Sequence, residues 1–309
     1  MIHRTYREPN FRCKVHDSDG NVYDWLTYAA SEVALRRRLQ GQGLTVDDIQ
    51  PYDFTLWKAR AASERQKAID AHDHGETPDF KSEVWSQLKL HLFDLFAGKC
   101  AYCESRVLHV ASGDVEHYRP KKPPEEDQSH PGYYWLAYDV GNLLPCCEKC
   151  NRVRGKRRCF PVAGQRACSP RYDLEAEQPL ILSPYRDWPQ EHLAFLPGMI
   201  TPEGDLVCVG TVEGITDQGS KTVELCNLRR ADLVEERKRE QEHFVNDVLL
   251  AASRLKPSKV VSLWCEALAG ERPYSAAVLA QRSVLEQVGV VCPPVAMNLT
   301  AVGGGGSGS

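Results

Sequence analysis

Two Cys-x-x-Cys pairs, Cys100-Ala-Tyr-Cys103 and Cys147-Glu-Lys-Cys150, constrain the fold of this chain more than any other feature. Four thiolates in two such turns suit tetrahedral zinc, which in a structural site keeps no open position. Both pairs lie in turn-like sequence, which sets them apart from four unrelated buried thiols. Cys146 leaves an alternative open beside Cys147. Only Cys147 completes the spacing with Cys150, so the expected ligands are Cys100, Cys103, Cys147 and Cys150. The chain has 12 cysteines, and five fall in these two clusters instead of spreading as a disulfide framework. The N-terminal Met1, Ile2, His3, Arg4 and Thr5 lack the apolar core of a signal peptide. Metal is therefore the expected use of the clusters. The scattered Cys13, Cys159, Cys168, Cys208, Cys226, Cys265 and Cys292 are expected as small buried hydrophobes.

With 309 residues and 42% hydrophobic content, the chain can bury a substantial core, and two modules are expected rather than one. Charged residues at 26% argue against wholesale disorder. No apolar run approaches the roughly 18 to 20 residues that span a bilayer, so the expectation is a soluble cytoplasmic protein with no membrane partner. The net charge of −4 does not announce a nucleic-acid binder, although a local positive face is sufficient for one. The tail from Gly303 to Ser309 reads as an engineered linker scar and takes no part in the fold.

Along the chain, Phe11 to Val15 and Asn21 to Trp25 flank Asp17-Ser-Asp-Gly20, which predicts a hairpin. Ser31 to Gln40 predicts a short helix, ended by Gly41 and Gly43, and Phe54 to Ala71 a longer one, followed by a polar linker from His72 to Pro78. Val84, Trp85, Leu88, Leu92, Leu95 and Phe96 form one stripe, which predicts a helix over Phe80 to Phe96 with Gly98 as its stop. An irregular stretch follows Pro161. Beyond it, Leu206 to Val212 predicts a strand, Val223 to Leu255 a long helix, and two shorter helices follow Pro257 and Pro273.

Between the cysteine pairs lies Asp114-Val-Glu-His117-Tyr-Arg-Pro120-Lys121. Adjacent strand residues face opposite ways, but a break before Pro120 would let Glu116 and His117 converge. A carboxylate suits magnesium or manganese, and an imidazole takes a proton from water near neutral pH. Asn142 suits a loop brace and Asn151 a helix start where an amide oxygen faces a metal; turn or N-cap roles stand as the alternative for both.

In combination these residues resemble the HNH endonucleases. The matching stretches are Cys100-Ala-Tyr-Cys-Glu104, Glu116-His-Tyr-Arg-Pro-Lys121, Trp135-Leu-Ala-Tyr138, Asn142 to Lys156, and Phe160-Pro161, in order. The pattern is similar to the HNH nucleases of Septu-type and retron-associated bacterial antiviral systems. Weaker likeness continues through Glu177 to Pro184, Trp188 to Leu193 and Val223 to Arg229; residues 1–79 match nothing.

The resemblance implies an α+β fold: an HNH ββα-metal core with four-cysteine zinc knuckles, inside a mostly α-helical remainder. It implies an N-terminal extension over 1–79, a nuclease domain over 80–161 and a mostly helical region over 162–302. His117 would be the general base, Glu116 and Asn151 the ligands of a catalytic Mg2+ or Mn2+, and Asn142 the brace of the histidine loop. Asn151 stands where many members carry histidine, and its amide oxygen still suits a hard cation. Asp114 is a further carboxylate, with a turn role as its alternative. Arg119, Lys121, Lys122, Arg152, Arg154, Lys156, Arg157 and Arg158 form a basic cluster expected to grip phosphates, with a solvated face as the plain alternative. The implied activity is phosphodiester hydrolysis of nucleic acid, DNA first, in antiphage defence beside an ABC-type ATPase partner. A ribonuclease acting on structured RNA such as tRNA, and an inactive zinc-ribbon binding module, are the rival readings.

Overall fold

A computed structural model describes residues 8–29, 31–41, 43–152 and 154–293. The tail at Gly303 to Ser309 and the first five residues lie outside the described residues. The chain opens with β1 (Phe11–His16), β2 (Val22–Thr27), α1 (Glu32–Gly41) and β3 (Thr45–Pro51). The β1–β2 hairpin forms where the sequence predicts it. Asp17 accepts from the Asn21 amide at 2.9 Å, and Gly20 takes the positive φ of +82° that the turn needs. The sequence pattern does not announce β3, which pairs antiparallel with β1 in the order β2-β1-β3. Its Asp47 and Asp48 are exposed, and only Ile49 is buried, so the apolar alternation that would mark a strand is weak.

Next come α2 (Phe54–Asp73), α3 (Ser82–Ser86) and α4 (Lys89–Leu95). The helix expected over Phe80 to Phe96 is thus two short ones. Its carbonyls are used elsewhere: Gln87 accepts from the Leu26 amide of β2 at 2.7 Å, and Val84 accepts from Trp57 Nε1 at 2.8 Å. These bonds dock the N-terminal segment onto the centre of the protein. A buried cluster including Leu26, Trp57, Trp85, Leu88, Leu92, Tyr138 and Leu143 fills the joint.

The central unit is β4 (Asp114–His117), β5 (Leu143–Cys146) and α5 (Glu148–Asn151), a two-stranded antiparallel ladder followed by one helical turn. Beyond it are the short strands β6 (Leu193–Phe195), β7 (Met199–Ile200), β8 (Leu206–Val207) and β9 (Val212–Gly214). The helices α6 (Asp217–Leu225), α7 (Ala231–Ser253), α8 (Pro257–Leu268), α9 (Ser275–Leu279) and α10 (Arg282–Gln287) complete the fold. The single strand expected over Leu206 to Val212 is split at Gly210, which has φ +65° and lies where a Cβ would meet the Val234 carbonyl at 2.0 Å. The long helix expected over Val223 to Leu255 is likewise broken, with Asn227 at φ +48° between α6 and α7.

One buried cluster runs from Phe93 through Tyr102, Trp135 and Phe160 to Leu233 and Ala277. The cysteine pairs sit inside it, so the central unit shares its core with the C-terminal half. Each fully buried large apolar side chain contributes roughly 1.5–3 kcal/mol. No described helix is long and apolar enough to cross a membrane.

Candidate functional site

The two cysteine turns close on one another. Glu104 N donates to Cys100 O at 3.0 Å with Glu104 at φ +62°, and Cys150 N donates to Cys147 O at 3.2 Å. A bond from Ala101 N to Pro145 O at 2.9 Å ties the first turn to β5. As a result the Sγ atoms of Cys100, Cys103, Cys147 and Cys150 all lie within 4.8 Å of one another. Cys103 and Cys147 are 3.8 Å apart, close to the edge of a tetrahedron with metal–sulfur bonds of about 2.3 Å. The four residues therefore fit zinc. Cys146 lies 3.9 Å from Cys100 on β5 but is outside the mutual set, so the choice of Cys147 agrees with the geometry.

The thiols resist ionising together without a cation. Hydrogen bonding from Cys100 and Cys147 holds Cys103 well below the ordinary thiol range, while its neighbours push Cys147 and Cys150 above it, and burial pushes Cys100 up. Arg230 Nη1 donates to Cys150 Sγ at 3.6 Å and offsets part of the negative charge of a four-thiolate centre. Nothing in the spacing of the motifs pointed to Arg230, which arrives from the turn before α7.

His117 is 5% exposed at the end of β4. Its Nε2 is 2.9 Å from the Ala137 carbonyl, and a carbonyl only accepts. Nε2 therefore carries the proton, and Nδ1 presents its lone pair 3.4 Å from Lys121 Nζ. Trp85 meets the ring edge-on at 4.9 Å between centroids. Burial first, then the Lys121 charge, lowers the pKa of His117 to about 3. The imidazole is neutral at physiological pH and can accept a proton, although as a weak base in this closed arrangement.

Glu116 points to the other side of β4, as strand alternation requires. Its Oε1 lies 2.7 Å from Lys156 Nζ, with both groups buried. Burial raises the pKa of the Glu116 carboxyl, only partly countered by Lys156. The expected convergence of Glu116 and His117 takes a different form: the side chains keep separate partners, and Lys156 joins them by bonding Glu116 Oε1 and, at 3.2 Å, the His117 carbonyl. Asn151, at the end rather than the start of its helix, donates from Nδ2 to Asp114 Oδ2 at 3.1 Å. Asn142 accepts from Arg119 N at 2.7 Å and donates to the carbonyls of Arg119 and Leu136 at 3.0 and 3.1 Å. It braces the chain that leaves His117.

The expected basic surface needs correction. Arg119 is buried, with Nε 2.7 Å from Glu177 Oε2, and Lys156 is fully buried against Glu116, so neither can grip a phosphate from outside. A buried cation needs a partner, and here each has a carboxylate. Arg152 is exposed but chelates Asp114. Arg157 pairs with Glu125, while Arg154, Arg158 and Lys122 are exposed and Lys121 is partly buried. The helix expected to carry this run ends at Asn151, where Gly155 packs so closely that a Cβ would meet the Cys150 carbonyl at 2.4 Å.

Fold and site together define a mixed helix-and-strand protein built around a cluster of four cysteines that could hold a metal ion. Among curated proteins, the chain is 36% identical over 164 residues to Septu protein PtuB of Bacillus mycoides (strain KBAB4), covering 51% of this chain and 52% of PtuB. It is 31% identical over 168 residues to Septu protein PtuA of the same strain, covering 52% of this chain and 22% of PtuA. To Septu protein PtuB of Bacillus thuringiensis it is 34% identical over 77 residues, covering 24% of this chain and 26% of that protein. The matched stretch thus spans about half the length of the first relative and less of the other two. No family model and no solved structure matches.

Proposed function

We propose that this chain is a metal-dependent HNH-type endonuclease that hydrolyses phosphodiester bonds in nucleic acid as an effector of bacterial antiphage defence in the cytoplasm. The observation that carries the reading is the state of His117: a neutral imidazole with Nε2 fixed on the Ala137 carbonyl and Nδ1 as the acceptor atom, which takes a hydrogen bond from Lys121 Nζ at 3.4 Å that the attacking water would replace. A base for water is the group such hydrolysis needs near neutral pH, and a cysteine-bound structural centre alone has no use for one.

His117 Nδ1 takes the proton of the attacking water, and the Ala137 carbonyl keeps the ring in the tautomer that can do so. Lys121 places positive charge next to the base, where a phosphate would arrive. Asn142 holds the backbone between His117 and Arg119 in place. Glu116 and Asn151 are the oxygen donors that would hold Mg2+ or Mn2+; by donor chemistry they suit a hard cation, which when bound neutralises charge developing on the phosphate. Cys100, Cys103, Cys147 and Cys150 would hold Zn2+, which when bound would fasten the two cysteine turns together and take no part in the chemistry.

DNA is the first substrate in this reading, with structured RNA as the alternative, since phosphate contacts do not choose between them. The likeness to PtuB and PtuA supports a Septu-type setting, in which an ABC-type ATPase would restrain or license cleavage. An inactive binding module is the second reading; it is favoured by the Lys156 ammonium, which already neutralises Glu116. Incubating the protein with plasmid, single-stranded DNA and tRNA, in magnesium and in EDTA, with and without that partner, tests the proposal. Magnesium-dependent cleavage supports it, and no cleavage of any substrate under any of these conditions contradicts it.

A further inference from the structure

We propose that a polar cleft beside β4 is a subsite for one phosphodiester group of a nucleic-acid strand, with Lys89 as its phosphate contact. The inference deepens the nuclease reading and rests on it. The cleft, of about 290 Å³, is lined by Trp85, Ser86, Lys89, Asp114, Asn151 and Arg152 among others. Its one carboxylate, Asp114, already accepts three hydrogen bonds. Arg152 donates from Nε to Asp114 Oδ2 at 3.0 Å and from Nη2 to Oδ1 at 2.9 Å, and Asn151 donates a third bond at 3.1 Å.

Lys89, at the first position of α4, is left over. Its side chain is partly buried, and it forms no ion pair or hydrogen bond among the described residues. Burial lowers its pKa, with the Asp114 charge opposing. A partly desolvated ammonium whose nearby carboxylate, Asp114, is already bonded to Arg152 and Asn151 is costly to keep, and an anion entering the cleft relieves that cost. Lys89 and Arg152 set against Asp114 leave one unit of positive charge within the cleft, which matches the single charge of a phosphodiester.

Position argues for a nucleic-acid strand over a free anion. Trp85 lines the cleft and also touches His117, so a phosphate here lies one side chain away from the base. Trp85 is buried with Lys121 against its ring at 4.8 Å, so it offers no open face for stacking a base. The contact is with backbone and independent of sequence.

The test is binding of short fluorescent single-stranded DNA, duplex DNA and single-stranded RNA to the full chain in EDTA, over a range of salt. The variants are Lys89→Met and Lys89→Arg, with Lys89→Gln in place of Met if that protein precipitates. Lys89→Met is expected to weaken binding about tenfold for every sequence, the loss of one charge-assisted contact. It should flatten the log–log salt dependence by about 0.7 to 0.9, while Lys89→Arg keeps both near wild type. The arm with the tightest wild-type binding tells DNA from RNA. Unchanged affinity and slope in Lys89→Met, or no binding of any oligonucleotide by wild type, overturns the proposal. Because binding is read without cleavage, an inactive but still Lys89-dependent protein would overturn the nuclease reading and leave this site standing.

Discussion

Lys156 Nζ and Glu116 Oε1 stand 2.7 Å apart in a buried ion pair that joins the loop after the second cysteine turn to the strand carrying His117. Removing one member strands the other as an uncompensated buried charge. Lys156→Met is therefore expected to destabilise the protein by about 3–5 kcal/mol, read by urea unfolding. Lys156→Met combined with Glu116→Leu should recover most of that loss. A single variant as stable as wild type would show that the pair neutralises nothing.

Zinc content follows from the sulfur geometry. Protein purified without added metal should carry about one zinc per chain by elemental analysis. Cys147→Ser or Cys103→Ser should lose it and melt earlier, because binding is coupled to closure of the turns. Cys146→Ser should keep it. Full zinc in Cys147→Ser with loss in Cys146→Ser would reverse the assignment.

Asp94 on α4 gives the fold a distinct pH dependence. Burial raises its carboxyl to about 6, against Arg38 at 3.0 Å and the Thr27 hydroxyl at 2.5 Å. Its folded pKa exceeds the unfolded value of about 3.9, so its contribution is full below that pH and is lost as pH rises through 6. Asp94→Asn should abolish this loss. The change in unfolding free energy from about pH 4.5 to about pH 6.5 should then be more favourable than in wild type, by on the order of 1–2 kcal/mol. Parallel profiles would refute the shift.

Arg119 and Glu177 form the other buried pair, with Tyr133 OH also donating to Glu177 at 2.5 Å. Glu177→Gln should cost about 3–5 kcal/mol by leaving Arg119 buried without its charge partner. A cost near zero in thermal or urea unfolding would mean that Arg119 escapes to solvent.

What was legible in the sequence was local. Cys-x-x-Cys spacing brought out the cysteine cluster, and Asp17 to Gly20 brought out the first hairpin, because each rests on residues a few positions apart. What was not legible depended on distant partners. Lys156 and Arg119 look like surface cations until Glu116 and Glu177 fold against them. The break between α3 and α4 depends on Leu26 capturing the Gln87 carbonyl. Lys89 gave no signal, since a lysine on a helix reads as solvated until Arg152 is seen to occupy Asp114.

If His117 is the base, the most direct measurement of that role is cleavage by His117→Ala beside wild type. Both proteins would be loaded equally with zinc, supplied with magnesium and the proposed ATPase partner, and given the substrate that wild type cuts. The expected result is a rate lower by about 10²- to 10⁴-fold, with zinc content unchanged and oligonucleotide binding in EDTA intact. Cleavage by His117→Ala at the wild-type rate would contradict it.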